Sequence, residues 1–297
     1  MGKVCETCKG RDLPFCSTCG VYIGFLLKDR YSFLKVLGNG GTAGVWKAFD
    51  MQEDVPVAIK VLERHQHDDE TWNRIVQRGR KEARYLEQID SPNVVKLVEL
   101  VEEEECLFLV LEFLDGDTLK NVLREKRPCA DVMVFLITEI CQGLEAIHEQ
   151  ELIHRDLKAS NIMLTKDGRV VLIDLGIARA LLNETRITKP GKITGTWGCM
   201  APEQLTEQPL STATDFYAFG VLIFELATGN RLFKGKVIDV LMAHMSTIPP
   251  YLLDRLPPFK KTNRIWQRIS KVTAQCLQKS ADERFSSSQE LLCALQP

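Results

Sequence analysis

A chain of 297 residues, 45% hydrophobic and 26% charged, has the make-up of a soluble globular protein with room for one large or two modest domains. Its formal net charge of −2 excludes the basic footprint of a nucleic-acid binder and a polybasic membrane patch. The longest uncharged apolar run, Phe216 to Phe224, is too short to cross a bilayer. The start of the chain has no apolar signal-peptide core, and Glu6 sits where a myristoylation pattern wants Ser or Thr. The expectation is a cytoplasmic protein with no nucleic-acid partner and no membrane insertion.

Four of the ten cysteines fall within residues 1–20, as Cys5-x-x-Cys8 and Cys16-x-x-Cys19, each pair followed by turn residues (Lys9-Gly10, Gly20). Four thiolates in two such knuckles suit tetrahedral Zn²⁺, and so short a segment cannot fold on apolar burial alone. A zinc ribbon is therefore expected at 1–20. A redox dithiol is the alternative, but it calls for a βαβ pattern that is missing here. A disulfide pair is the other, and it disagrees with a cytoplasmic location. The remaining cysteines (Cys106, Cys129, Cys141, Cys199, Cys276, Cys293) are scattered, mostly in apolar contexts, and are expected as small core residues.

Strand-like runs follow at Tyr31 to Leu37, Ala43 to Phe49 and Val55 to Leu62. Between the first two lies Gly38-Asn39-Gly40-Gly41-Thr42-Ala43-Gly44-Val45. Such a turn lets backbone N–H groups approach phosphate oxygens without Cβ interference, although a plain hairpin turn looks much the same. The spacing predicts an amphipathic helix over Asp69 to Ile89, with Trp72, Ile75, Val76, Ala83, Leu86 and Ile89 on its apolar side. Strands at Val94 to Val101 and Leu107 to Glu112 flank an acidic turn, Glu102 to Glu105.

From Asp117 on the pattern turns helical. Asp131 can cap a helix whose core face reads Val132, Phe135, Leu136, Ile140, Leu144 and Ile147. A helix over Ser211 to Thr228 is apolar all round and must be buried on every side. Amphipathic helices at about 263–278 and 286–295 end the chain.

Between these helical stretches stands His154-Arg155-Asp156-Leu157-Lys158-Ala159-Ser160-Asn161, followed by Ile162 to Leu164, a turn at Lys166 to Arg169, Val170 to Ile173, and Asp174-Leu175-Gly176. The two short apolar runs around a Gly-containing turn predict a hairpin that holds Asp156, Asn161 and Asp174 near one another at its open end. Two carboxylates and an amide oxygen are hard ligands of the kind that hold Mg²⁺ beside phosphate. Asp156 could equally accept a proton from an attacking hydroxyl.

Singly these motifs mean little. Jointly they place the chain as similar to the eukaryotic-like (Hanks-type) serine/threonine protein kinases of bacteria, from about Tyr31 to Leu295. The resemblance rests on His154-Arg155-Asp156-Leu157, Lys158, Asn161, Asp174-Leu175-Gly176, Val57-Ala58-Ile59-Lys60 and Met200-Ala201-Pro202-Glu203. The chain departs from the pattern at Leu175, where Phe is commoner, and at Ala43, where a third glycine is usual.

The resemblance implies an α+β, bilobal kinase fold over 31–295. An antiparallel-sheet N-lobe with one helix would span about 31–112, a hinge about 112–116, and a mainly helical C-lobe about 117–295, with ATP between the lobes. It implies catalysis by Asp156 and Lys158 with Lys60 and Glu82, Glu87 being the competitor for Lys60. Mg²⁺ falls to Asn161 and Asp174. ATP falls to Gly38, Asn39, Gly40, Gly41, Val45, Ala58, Lys60 and Met163, with Leu111 as gatekeeper and backbone groups of Glu112 and Leu114 meeting adenine. Asp215 would anchor the backbone near His154, and Glu203 would pair with Arg284. Lys158 and Thr196 point to Ser/Thr rather than Tyr.

Arg155 beside Asp156 implies control by phosphorylation at Thr188, Thr194 or Thr185, reached by trans-autophosphorylation in a homodimer. Protein substrates follow. A catalytically silent scaffold docking through the zinc ribbon, and a kinase of small molecules, are the rival expectations. The complete set of Lys60, Glu82, Asp156, Asn161 and Asp174 weighs against the first. The peptide-binding loop before Ala201 weighs against the second.

Overall fold

The structure is a computed structural model and describes residues 26–39, 44–64, 68–103, 105–124, 127–175, 197–206 and 208–296. Cys5, Cys8, Cys16, Cys19, Gly40, Gly41, Gly176, Thr185, Thr188, Thr194 and Thr196 lie outside the described residues. Contacts within the chain separate two compact units. One runs to Gln88 and resumes over Lys96–Leu114; the other comprises Ile89–Val95 and the chain from Asp115 onward.

The first unit is an antiparallel sheet in the order β1-β2-β3-β4-β6-β5, with one helix. Its strands are β1 (Leu26–Leu27), β2 (Tyr31–Asn39), β3 (Gly44–Asp50), β4 (Val55–Glu63), β5 (Leu97–Glu103) and β6 (Cys106–Glu112). Alternation sorts their side chains onto two faces. Trp46, Ala48, Val57, Ile59 and Val61 point to a core that also takes Tyr31, Phe33, Val101, Phe108 and Val110. Phe33 packs edge-on against Trp46 and Phe108, at centroid distances of 5.8 and 6.4 Å. Val45, Ala58 and Lys60 fall on the other face, half-buried, with Val45 directly opposite Lys60 across the ladder.

Helix α1 (Asp69–Gln88) packs on β5 and β6 and buries Trp72, Gly79, Glu82, Ala83 and Leu86. Asp68 caps it, its carboxylate accepting the Thr71 N–H at 2.7 Å. At Gly79 helix and sheet come close: a Cβ there would collide with Leu107 Cδ2. The expected apolar stripe is thus narrower than its sequence pattern, because Ile75 and Val76 are only half-buried.

The second unit is helical around a small sheet, β7 (Gly116–Thr118), β8 (Ile162–Thr165) and β9 (Val170–Leu172). The predicted hairpin is β8–β9, closed through Gly168, whose φ of +91° suits only glycine well. Its helices include α2 (Leu119–Val122), α3 (Ala130–His148), α4 (Thr212–Thr228), α5 (Val237–Ser246), α6 (Leu252–Arg255), α7 (Pro258–Lys261), α8 (Arg264–Cys276) and α9 (Ser288–Leu295). Helix α4 is buried all round, as its composition requires, and packs along α8. Gly229, at φ +71°, ends it in the left-handed conformation.

Five expectations need correction. The strand expected from Val94 begins at Leu97, because Asn93 and Val95 are bonded instead to Leu172 of β9, bridging Val94 to it. For the same reason Ile89–Val95 belongs with the helical unit, with the Asn93 amide bonded to Glu139 and to the Val170 carbonyl at 2.8 and 2.9 Å. Cys129, not Asp131, is the N-cap of α3; Asp131 lies inside the first turn, where its charge still favours the helix dipole. Val132 and Phe135 are 43% and 42% exposed, so the α3 core face starts at Met133 and Leu136. Among the scattered cysteines, Cys106, Cys141 and Cys276 are buried, but Cys129 and Cys293 are exposed and Cys199 is intermediate. No helix among the described residues is long and apolar enough to cross a membrane.

Candidate functional site

In the sheet unit, the period-2 alternation of β4 turns Lys60 away from the apolar core while Ile59 and Val61 enter it. The lysine Nζ meets Glu82 of α1 at 2.8 Å to Oε1 and 3.2 Å to Oε2. Glu82 is buried and Glu87, one and a half turns on, is exposed, so the geometry separates the two candidates. Gly38 stands at the end of β2 with open space where a Cβ would lie, and Asn39 is the last residue of that strand. At the far end of β6, the Glu112 N–H is taken by the Lys96 carbonyl at 3.0 Å. Leu111 and Leu114 are buried.

In the helical unit, Asp215 of α4 reaches out of a wholly buried position. Its two carboxylate oxygens accept the His154 and Arg155 backbone N–H groups, each at 2.8 Å, and His148 Nε2 lies 2.8 Å from Oδ2. Arg155 sits at φ +66°, a conformation that costs a non-glycine residue about 1–2 kcal/mol. Asp215 holds it from one side, and Gln204 donates to the Arg155 carbonyl at 3.2 Å from the other.

The following residue carries the chemistry. Asp156 Oδ2 is 2.6 Å from Lys158 Nζ and accepts the Asn161 amide N–H at 3.1 Å. Asn161 donates also to the Asp156 carbonyl at 3.0 Å. With its nitrogen committed to Asp156, the Asn161 side chain is left with its oxygen, which accepts from the Ser160 hydroxyl at 3.5 Å. The Ile173 N–H bonds to the Asn161 carbonyl at 3.0 Å, which brings the start of Asp174-Leu175 to the end of the 3₁₀ turn Ala159–Asn161. Leu175 is buried.

An amide oxygen and a carboxylate fit Mg²⁺, which completes its octahedron with phosphate oxygens and water rather than with protein side chains alone. Among the described residues there is no cluster of three or more His, Cys, Asp or Glu side chains that could hold a metal.

A sequence model for the protein kinase domain matches residues 31–294. The chain belongs to the protein kinase family. The sheet unit is accordingly its N-lobe and the helical unit its C-lobe, and the family implies ATP and Mg²⁺. The chain is 31% identical over 275 residues to a probable serine/threonine-protein kinase, PknB, of Lactococcus lactis, covering 92% of this chain and 42% of that one. It is 30% identical over 272 residues to the serine/threonine-protein kinase PrkC of Bacillus subtilis, covering 91% and 40%. It therefore spans about two fifths of these relatives. The Mycobacterium tuberculosis PknI kinase domain in a crystal structure superposes with a TM-score of 0.66 at 21% identity, over 89% of this chain and 94% of that one.

The C-lobe also contains a cleft of about 430 Å³ lined by Lys158, Ser160, Trp197, Gly198, Glu225 and Arg231, among others. Burial pushes the Glu225 carboxyl up to about 7, against the opposing pull of Arg231 and the Leu232 N–H. Below the cleft, Glu203 and Arg284 form a bidentate pair at 2.7 and 2.9 Å. Burial pushes Glu203 up, but the bonds and charge of Arg284 outweigh it and hold the carboxyl below its usual range.

Sequence reasoning missed His148, Gln204 and Glu225. His148 had a usable signal, a histidine six residues before His154 on the last turn of a buried helix. Gln204 and Glu225 had none: Gln204 acts on the Arg155 carbonyl, 49 residues away in sequence, and the shift of Glu225 comes from its burial.

Proposed function

We propose that this chain is an ATP- and Mg²⁺-dependent serine/threonine protein kinase. The observation that carries it is the Asp156–Lys158–Asn161 cluster, with contacts of 2.6 and 3.1 Å, on a loop whose backbone is fixed by buried Asp215. Asp156 orients a substrate hydroxyl and takes its proton as the oxygen bonds to the γ-phosphorus. The bond from that phosphorus to the β-phosphate oxygen breaks, and ADP leaves. Lys158 steadies the transferring phosphoryl group. Lys60, held by Glu82, orients the α/β-phosphates. Asn161 and Asp174 would hold Mg²⁺, which supplies charge neutralisation on the phosphates.

Gly38 to Gly41 cover the phosphates, while Val45, Ala58, Met163, Glu112 and Leu114 serve adenine. Thr188, Thr194 or Thr185 takes a regulatory phosphate that recruits Arg155, delivered in trans within a homodimer. Cys5, Cys8, Cys16 and Cys19 bind one Zn²⁺ per chain. That assignment rests on the double Cys-x-x-Cys spacing, and elemental analysis of reduced protein checks it.

The test of the activity is transfer of labelled phosphate from Mg-ATP to serine or threonine of a generic protein substrate, by the native chain and by Asp156→Asn. Expected is transfer by the native chain and its loss in the variant. Equal transfer by both removes Asp156 from catalysis, and none by either removes the enzyme.

A further inference from the structure

His244, on α5, is wholly buried and bonded at both ring nitrogens. Nε2 lies 3.1 Å from the Gly198 carbonyl, and Nδ1 lies 3.0 Å from the Tyr217 hydroxyl of α4. A carbonyl oxygen can only accept, so Nε2 carries the proton, Nδ1 is the acceptor, and Tyr217 donates to it. One neutral tautomer satisfies the whole chain of bonds. Lys279 Nζ donates to the His244 carbonyl at 2.8 Å and to that of Ala243 at 3.1 Å, fixing the backbone behind the ring. Phe233 closes the ring edge-on at 5.0 Å. Burial, reinforced by the Lys279 charge and opposed by the Gly198 bond, lowers the imidazole to about 4, so the ring stays neutral near pH 7.

The far end of this chain of bonds is a wall of the cleft beside Lys158. Trp197, Gly198 and Cys199 line that cleft together with Lys158 and Ser160. Gly198 has nothing within 4 Å of where a Cβ would be, so that side of its backbone is open. Its neighbour Trp197 lies under the Arg231 guanidinium at 5.3 Å. The carbonyl bond from His244 is thus a direct tie between this stretch and α5.

We infer that His244 is a positioning residue for the protein substrate: it fixes the Gly198 carbonyl and, through it, the wall of the cleft facing the phosphoacceptor. The role rests on the kinase function proposed above. It acts on the peptide side only, since neither His244 nor Gly198 belongs to the groups assigned to nucleotide. Removing the donor leaves a carbonyl unsatisfied, and the wall then samples other positions.

Steady-state kinetics with Mg-ATP and a peptide substrate test this in His244→Leu, His244→Gln and Tyr217→Phe. Expected in His244→Leu is a KM for peptide raised roughly tenfold, the equivalent of losing one net buried hydrogen bond, with KM for ATP unchanged. His244→Gln, whose amide N–H can reach Gly198, returns toward wild type. Tyr217→Phe gives a smaller rise.

A second readout does not depend on catalysis. Pulsed maleimide labelling, mapped by mass spectrometry, should modify Cys199 faster in His244→Leu, with exposed Cys129 as internal reference. Unchanged peptide KM and unchanged Cys199 labelling in His244→Leu overturn the inference. So does a parallel rise in both KM values that the glutamine does not reverse, which marks a purely structural role. If the wild type phosphorylates no peptide, the kinase proposal falls by itself, and faster Cys199 labelling still decides whether His244 holds the wall.

Discussion

Lys60 with Glu82 in the N-lobe, and Arg284 with Glu203 in the C-lobe, are both cation–carboxylate pairs joined across a long stretch of chain, at 2.8 and 2.7 Å. Their surroundings differ. The Lys60 side chain keeps 18% of its surface exposed, and its ammonium is a rotatable point charge. Arg284 keeps none, and its planar fork is used up: Nε to Gln278, Nη1 to Glu203 and Ala213, Nη2 to Glu203 and Lys279. A buried pair repays its desolvation only when its remaining donors are satisfied, and the C-lobe pair meets that condition. It is architecture, tying Glu203 to the first turn of α4 and to the segment after α8. The N-lobe pair holds a charge near solvent, where a phosphate can share it.

The largest expected effects come from breaking each pair on its cationic side. Lys60→Met should lower kcat/KM by roughly a hundredfold or more, as removal of a transition-state electrostatic partner does. Arg284→Met should instead cost about 3–5 kcal/mol of stability by stranding buried Glu203. Thermal melts beside phosphotransfer rates check both. A Lys60→Met protein that keeps wild-type rate, or an Arg284→Met protein that melts like wild type, would break the distinction.

The architectural side of the comparison extends to pH. Arg284 stacks over Tyr217 at 4.9 Å, and Tyr217 bonds His244, which also faces Lys279. With its folded value near 4 against an ordinary 6.5, His244 must stay neutral where the unfolded chain binds a proton. Between those values the unfolded state binds more protons, so stability falls as pH drops from about 6.5 to about 4. Glu225, raised to about 7, works in the opposite sense between its ordinary 4.5 and 7. The difference between wild type and His244→Gln therefore isolates the histidine. Wild type should lose about 3 kcal/mol relative to the variant across that interval. Parallel denaturation curves at pH 7 and pH 4.5 would show that His244 binds its proton in both states alike.

How much of this was legible beforehand follows the same divide. Lys60, Asp156, Asn161 and Asp174 sit in short motifs whose residue types are dictated by phosphate and metal chemistry, so one dimension was enough to nominate them. Helix α4 was legible because a run apolar on all sides has one physical solution. The failures have local causes. Val94 and Val95 read as the start of β5, but the bonds that Asn93 and Val95 make to Leu172 hold them on β9 instead. Val132 and Phe135 fit the helical period of α3, yet the neighbours cover Met133 and Leu136 instead, and periodicity cannot report which flank a neighbour covers. His244 is invisible in sequence because its partners, Gly198, Tyr217 and Lys279, lie on three separate segments.

The smallest expected effect tests how tightly the N-lobe pair depends on its helix. Gly79 lies one turn before Glu82 on the same buried face of α1, where a methyl group would meet Leu107 Cδ2 and, at 3.2 Å, Leu62 Cδ1. Both are ends of flexible side chains, so the sheet can yield at the lower end of the 1–3 kcal/mol that overpacking costs. Alanine also recovers about 1 kcal/mol of helix propensity. Gly79→Ala should therefore come out within about 1 kcal/mol of wild type in stability. The rate is the sharper measure. If α1 yields instead of the leucines, Glu82 retreats from Lys60 and kcat/KM falls severalfold while the melting temperature barely moves. A rate that holds means that the leucines moved and that the pair is seated by β4 and by Glu82 itself; a fall restored by Leu107→Ala would place the control in the helix–sheet spacing at Gly79.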